Sequence, residues 1–125
     1  MALDANRYVD LARGVDEVRD VAERADQILV PVVVVAELRA GFAVGRKGTE
    51  NEAFLQRFLA TGGVDVLYLG DATTRTYASL YRQLRTQGTP IPTNDLWIAS
   101  LVIEHNLALC TRDRHFQHLP QLVIV

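Results

Sequence analysis

The stretch ILVPVVVVAELRAGF, Ile28–Phe42, decides how this chain folds. Ile28–Pro31 is a short, unbroken apolar run, the pattern of a strand covered on both faces rather than one with a wet side. The residues that follow have helical spacing, so a buried strand feeds directly into a helix. Four other runs read as strands of the same kind: the opening around Leu3, Asp65–Leu69, Leu107–Thr111 and Leu122–Val125. Helical patterns fill the intervals. Val15, Val18, Val21, Ala22 and Ala25 recur at helical spacing. Thr49–Glu52, TENE, has the form of a capping box ahead of Phe54, Leu55, Phe58 and Leu59. Asp71 is placed to cap a helix carrying Tyr77, Leu80, Tyr81 and Leu84, with Gly88 beyond its end. Thr93 or Asn94 is placed to cap another through Trp97, Ile98, Leu101 and Val102. Helices alternating with buried strands predict an α/β fold: a central parallel sheet with helices on both faces.

At 125 residues the chain is the size of one domain, 1–125, with enough length for a core. No apolar run approaches the ~20 residues that cross a bilayer, and no basic segment followed by an apolar one marks a signal peptide. The single cysteine, Cys110, rules out an internal disulfide and suits a reducing cytoplasm. Net charge is −2, so the whole molecule has no basic footprint for nucleic acid; a local patch or a bound cation is left to supply one.

In parallel sheets ligands sit beyond the carboxyl ends of the strands, and acids collect there. Asp4 follows the first strand; taken alone, it reads as the cap of a helix beginning near Ala5. Glu37 is harder to explain. Its helical neighbours are Val33, Val34, Ala40 and Gly41, and a carboxylate on an apolar face costs several kcal/mol unless something neutralises it. Arg39 is two residues away and points to a different face. Asp95 lies in a first helical turn, where helix-dipole stabilisation of ~0.3–1 kcal/mol is the simple account. Asp113 follows the strand Leu107–Thr111 and alone reads as a turn or cap residue. Together, all four reach one edge of one sheet. Clustered carboxylates raise each other's pKa values, an arrangement suited to binding hard cations such as Mg²⁺ or Mn²⁺. Such a centre assists in-line displacement at phosphorus. Asn6 and Thr111 are then the polar groups that orient carboxylates or water.

The segments LDAN (3–6), VVAELRAG (34–41), NDLWIAS (94–100) and LCTRDRHF (109–116) resemble, in order and spacing, the PIN-domain family, and in particular the VapC-type toxins of bacterial toxin–antitoxin pairs. The resemblance spans essentially the whole chain. It implies a three-layer α/β/α fold, and Mg²⁺- or Mn²⁺-dependent RNA cleavage with catalytic and metal-binding acids at Asp4, Glu37, Asp95 and Asp113. It also implies homodimerisation and inhibition by a small VapB-type antitoxin. Arg7 stands where many relatives carry an apolar or small residue, and Ala5 where Thr is common; both departures bear on substrate preference, since neither removes an acid.

Twelve of the 13 basic residues are arginines, whose planar fork suits phosphate. Arg7, Arg39, Arg46, Lys47, Arg112 and Arg114 lie in segments near the acids and are the candidates for RNA contact. Arg75, Arg82 and Arg85 read as the solvated face of a helix. His115 and His118 read as surface residues, Trp97 and Tyr81 as core, and Cys110 as a buried small hydrophobe. Three other functions compete. A phosphorylation receiver needs a lysine at a late strand end, and Lys47 sits in a loop. A DNA-directed nuclease would be expected to carry added DNA-binding elements. A non-catalytic PIN-like module that binds RNA or protein would have no need for all four acids.

Overall fold

The computed structural model describes residues 1–125. In chain order the elements are β1 (Ala2–Leu3), α1 (Ala5–Ala12), α2 (Asp16–Arg24), β2 (Ile28–Pro31), α3 (Val32–Val44), α4 (Gly48–Leu59) and β3 (Val64–Leu67). They continue with α5 (Asp71–Gln87), α6 (Thr93–Glu104), β4 (Ala108–Cys110), a 3-10 turn (Arg114–His118) and β5 (Val123–Ile124). The strands form one parallel sheet in the order β3-β2-β1-β4-β5. The chain builds leftward from β1 through β2 to β3, then returns across the sheet to β4 and β5. Right-handed crossovers therefore place α1–α4 on one face and the packed pair α5 and α6 on the other. This is the expected α/β/α arrangement.

The reversal of strand order falls between β1 and β4, the switch point where open α/β sheets bind ligands. The two strands are in register there, with Ala2 opposite Leu109 and Leu3 opposite Cys110. One residue further on, the Asp4 N–H donates to the Cys110 carbonyl at 3.1 Å. The core beneath this edge is fully enclosed: Leu3, Val30, Val34, Leu55, Ile98, Leu101, Leu109 and Phe116 have no exposed surface. At ~1.5–3 kcal/mol for each fully buried large apolar side chain, this core fixes where the strand ends lie.

Several local expectations change. The outer strand β5 is not covered on both faces: Val123 and Ile124 are exposed, because the sheet ends with them. Thr49 does not cap α4; the helix starts one residue earlier, at Gly48, with no side-chain cap. Glycine is needed there, since a Cβ would stand 2.5 Å from the Phe42 carbonyl of α3. Asp71 is the first residue of α5, not its cap; the preceding Gly70 N–H is satisfied by the Thr73 hydroxyl at 3.0 Å. Neither Thr93 nor Asn94 caps α6, which begins at Thr93 directly after Pro92. Gly88 does end α5 in the left-handed conformation, φ +73°. Tyr81 is half exposed rather than core. Tyr77 instead packs against Trp97, the ring centroids 4.2 Å apart and the planes tilted by 34°, joining α5 to α6.

Candidate metal centre

Asp4 serves two purposes at once. As the N-cap of α1 its Oδ1 accepts from the Ala5 N–H at 2.8 Å. Its Oδ2 accepts from the Thr111 hydroxyl at 2.6 Å, bridging the exits of β1 and β4. Thr111 Oγ1 has two lone pairs left. One accepts from the Asp113 N–H at 3.0 Å and the other from Asn6 Nδ2 at 3.5 Å. Asn6 Oδ1 in turn accepts from the Arg112 N–H at 3.2 Å. Thr111 and Asn6, expected as orienting groups, thus form a hydrogen-bonded link between Asp4 and Asp113.

Asp95 enters from the first turn of α6 with its side chain 13% exposed. Its Oδ2 lies 2.8 Å from His115 Nδ1; with Asp95 ionised, that nitrogen carries the proton. Asp113 caps the 3-10 turn, where its Oδ1 accepts from the His115 N–H at 2.9 Å and lies 3.1 Å from the same ring nitrogen. The ligand atoms of Asp95, Asp113 and His115 all lie within 4.8 Å of one another. Asp4 and Glu37 stand outside this tightest trio but act on it electrostatically.

Glu37 comes from the second turn of α3. Its Oε1 is enclosed and has no hydrogen-bond partner. Burial pushes its carboxyl from the usual 4.5 up to about 7, and the charges of Asp4, Asp95 and Asp113 push the same way. Burial also raises Asp4, against the opposing hydrogen bonds of Thr111 and Ala5. It raises Asp95 as well, against the bond from His115. The His115 imidazole is raised chiefly by its bond to Asp95. The four expected acids therefore form one mutually repelling set, with a single imidazole for company. An enclosed carboxylate oxygen without a donor is costly in isolation, and oxygen ligands of this kind fit a hard divalent cation.

His115 was expected at the surface and is half exposed, yet it belongs to this group. Its signal lay in the spacing Asp113-x-His115: an aspartate whose carboxylate accepts the N–H two residues on turns that residue back toward its own side chain. His118 shares no contact with the acids; its carbonyl accepts from Gln87.

The basic residues divide. Arg7 is a correction to the expected RNA contacts: its guanidinium is 12% exposed and lies against Asp10 (3.2 Å) and Glu17 (3.0 Å). Arg112 is half exposed but turned onto Asp10 through two nitrogens. Arg39 pairs with Glu52 at 2.7 Å. Arg46, Lys47 and Arg114 are exposed. Arg39, Arg46 and Lys47 line the largest surface depression, about 830 Å³, between α3 and α4 rather than at the acids. No helix is long and apolar enough to cross a membrane.

The PIN-domain family model matches residues 1–122. A protein of Haemophilus influenzae named ribonuclease VapC1 is 32% identical over 127 aligned positions, covering 96% of this chain and 92% of that one. Ribonuclease VapC2 of Rickettsia felis is 31% identical over 98 positions, 78% of this chain and 72% of that protein. Among solved structures, VapBC2 from Rickettsia felis, bound to a DNA fragment from its promoter, superposes with a TM-score of 0.88 at 27% identity, covering 99% of this chain and 96% of that one.

Proposed function

This chain belongs to the PIN-domain family, and we propose that it is a divalent-cation-dependent endoribonuclease, the toxin of a VapBC-type pair. Residues 1–125 form one such domain, acting in the cytoplasm. One observation carries the chemical reading: Glu37 Oε1, enclosed and without a donor, stands in the field of Asp4, Asp95 and Asp113. Ordinary structural acids are paired; these four have only the His115 imidazole against them, and it meets Asp95 and Asp113 rather than Glu37. The relatives named as ribonucleases and solved as VapBC complexes support the reaction class and a VapB-type antitoxin as partner. A homodimer is the expected assembly.

Asp4, Glu37, Asp95 and Asp113 would hold the cation, which we take to be Mg²⁺ or Mn²⁺ because the donors are hard oxygens. When bound, it supplies the positive charge a phosphodiester needs to approach these acids, and it makes water a better nucleophile near neutral pH. The chain's own residues prepare the site. Thr111 and the Ala5 N–H hold Asp4 in one orientation. His115 orients Asp95. Glu37, titrating at about 7, is only partly ionised near neutral pH and becomes fully ionised when positive charge arrives. Arg39, Arg46, Lys47 and Arg114 remain the candidates for contact with the RNA backbone, where exposed cations strengthen binding without reading sequence.

The test is cleavage of a defined single-stranded RNA by purified protein with Mg²⁺, with Mn²⁺ and with chelator. Cation-dependent cleavage is expected. Full activity in chelator, or none with either ion from a folded protein freed of its antitoxin, would overturn the reading.

A further inference from the structure

Asp10 has no part in the site described above, yet it is 9% exposed and charged. Two guanidinium groups hold it. Arg112, 102 residues away in sequence, forks onto it, Nε to Oδ2 at 2.8 Å and Nη2 to Oδ1 at 3.1 Å. Arg7 reaches Oδ2 at 3.2 Å and is backed by Glu17 of α2 at 3.0 Å.

We propose that Asp10 is a positioning residue: through the Arg112 guanidinium it fixes the segment Thr111–Asp113, and with it the carboxylates that receive the cation. The proposal rests on the cation site proposed above.

That segment needs an external hold. β4 ends at Cys110 and the 3-10 turn begins at Arg114, so Thr111–Asp113 belongs to no strand or helix. Its own bonds are Thr111 to Asp4 and Asn6, Asp113 to Thr111 and His115, and the Arg112 N–H to Asn6. These join site residues to one another. The fork to Asp10 is the hold from outside the set, and it grips the residue between Thr111 and Asp113. Asn6 and Asp10 are four apart on α1 and share one face. One side of that helix thus grips Arg112 by its backbone and by its side chain. A bidentate carboxylate–guanidinium pair fixes direction as well as distance, which a hydrophobic contact would not.

The experiment compares the parent with Asp10→Asn, Arg112→Gln and the double variant, in two readouts. Amide hydrogen exchange follows the N–H groups of Arg112, Asp113 and His115, with α5 amides as internal reference. Titration with Mn²⁺ alone follows affinity without any cleavage assay. Each single variant is expected to speed exchange in the segment about tenfold over α5 and to weaken Mn²⁺ binding by about 10–100-fold, the range for groups that orient metal ligands. The double variant should be no weaker than the singles. If Asp10→Asn does not fold, Arg112→Gln, at a half-exposed position, decides alone. Uniform exchange changes with unaltered Mn²⁺ affinity would overturn the proposal, as would additive losses in the double variant. A parent that binds no Mn²⁺ refutes the cation reading instead, and the segment's exchange still decides whether Asp10 fixes it.

Discussion

Replacing Glu37 with Gln should make this protein more stable without cations and less responsive to them. In the folded chain the Glu37 carboxyl titrates at about 7 against an ordinary 4.5. An acid with a raised folded pKa binds more protons folded than unfolded between those two values. Stability therefore falls as pH rises from about 4.5 to about 7, and the full loss persists above that. The whole shift corresponds to about 3 kcal/mol; solvent reaching part of the side chain reduces this to about 1–2 kcal/mol. Glu37→Gln keeps the shape, removes the charge, and gives the three facing acids an amide donor. In chelator near pH 8 it should melt about 4–8 °C above the parent, at ~3–5 °C per kcal/mol for a chain of this length. Near pH 5 the difference should nearly vanish. Taking variant minus parent across that range cancels the groups that do not face Glu37, such as Asp10, which Arg112 holds below the usual carboxylate range. Excess Mn²⁺ should reverse the order, since the parent gains a ligand charge that the variant lacks. The assay is a set of thermal melts from about pH 5 to about pH 8.5, with chelator and with Mn²⁺. If the two proteins melt within a degree of each other near pH 8 in chelator, Glu37 is not held in a repelling site.

Three further outcomes follow from the same geometry. Asp4→Asn should reduce RNA cleavage to background while costing only about 1 kcal/mol of stability, because the Thr111 oxygen can accept from the new amide by giving up its long 3.5 Å contact with Asn6; cleavage rates and melts of the same preparation check it. Mn²⁺ binding near pH 7 should release a fraction of a proton, chiefly from Glu37; calorimetric heats that do not vary with buffer ionisation enthalpy would contradict this. Asp95→Asn should match or exceed the parent's melting temperature in chelator, yet gain clearly less from Mn²⁺; an equal gain would make Asp95 a helix-terminal charge and nothing more.

What the sequence discloses here depends on whether a residue's meaning is local. Ile28–Pro31 and the helix after it are legible because burial on both faces leaves a pattern in the run itself. Glu37 is legible for the same reason: an acid among Val33, Val34, Ala40 and Gly41 conflicts with its own neighbours. Asp4 could not be resolved locally, since the capping reading is also correct; Oδ1 caps α1 while Oδ2 meets Thr111, and only the adjacency of β1 and β4 shows the second role. The misplaced caps at Thr49, Asp71 and Thr93 have one cause. Each helix begins where the preceding chain sets it, at Gly48 against the Phe42 carbonyl, after Gly70, and after Pro92, and not where the best capping side chain stands. Arg7 and Arg112 are candidates for RNA contact because their segments lie near the acids in sequence, but Asp10, the partner that claims both guanidinium groups, is not evident there. Asp10 sits in an ordinary helical stretch, RYVDLA, and nothing within that stretch marks it. Its meaning is created by a residue 102 positions away, so a site read from sequence gives the acids that repel one another before it gives the pairs that hold them in place.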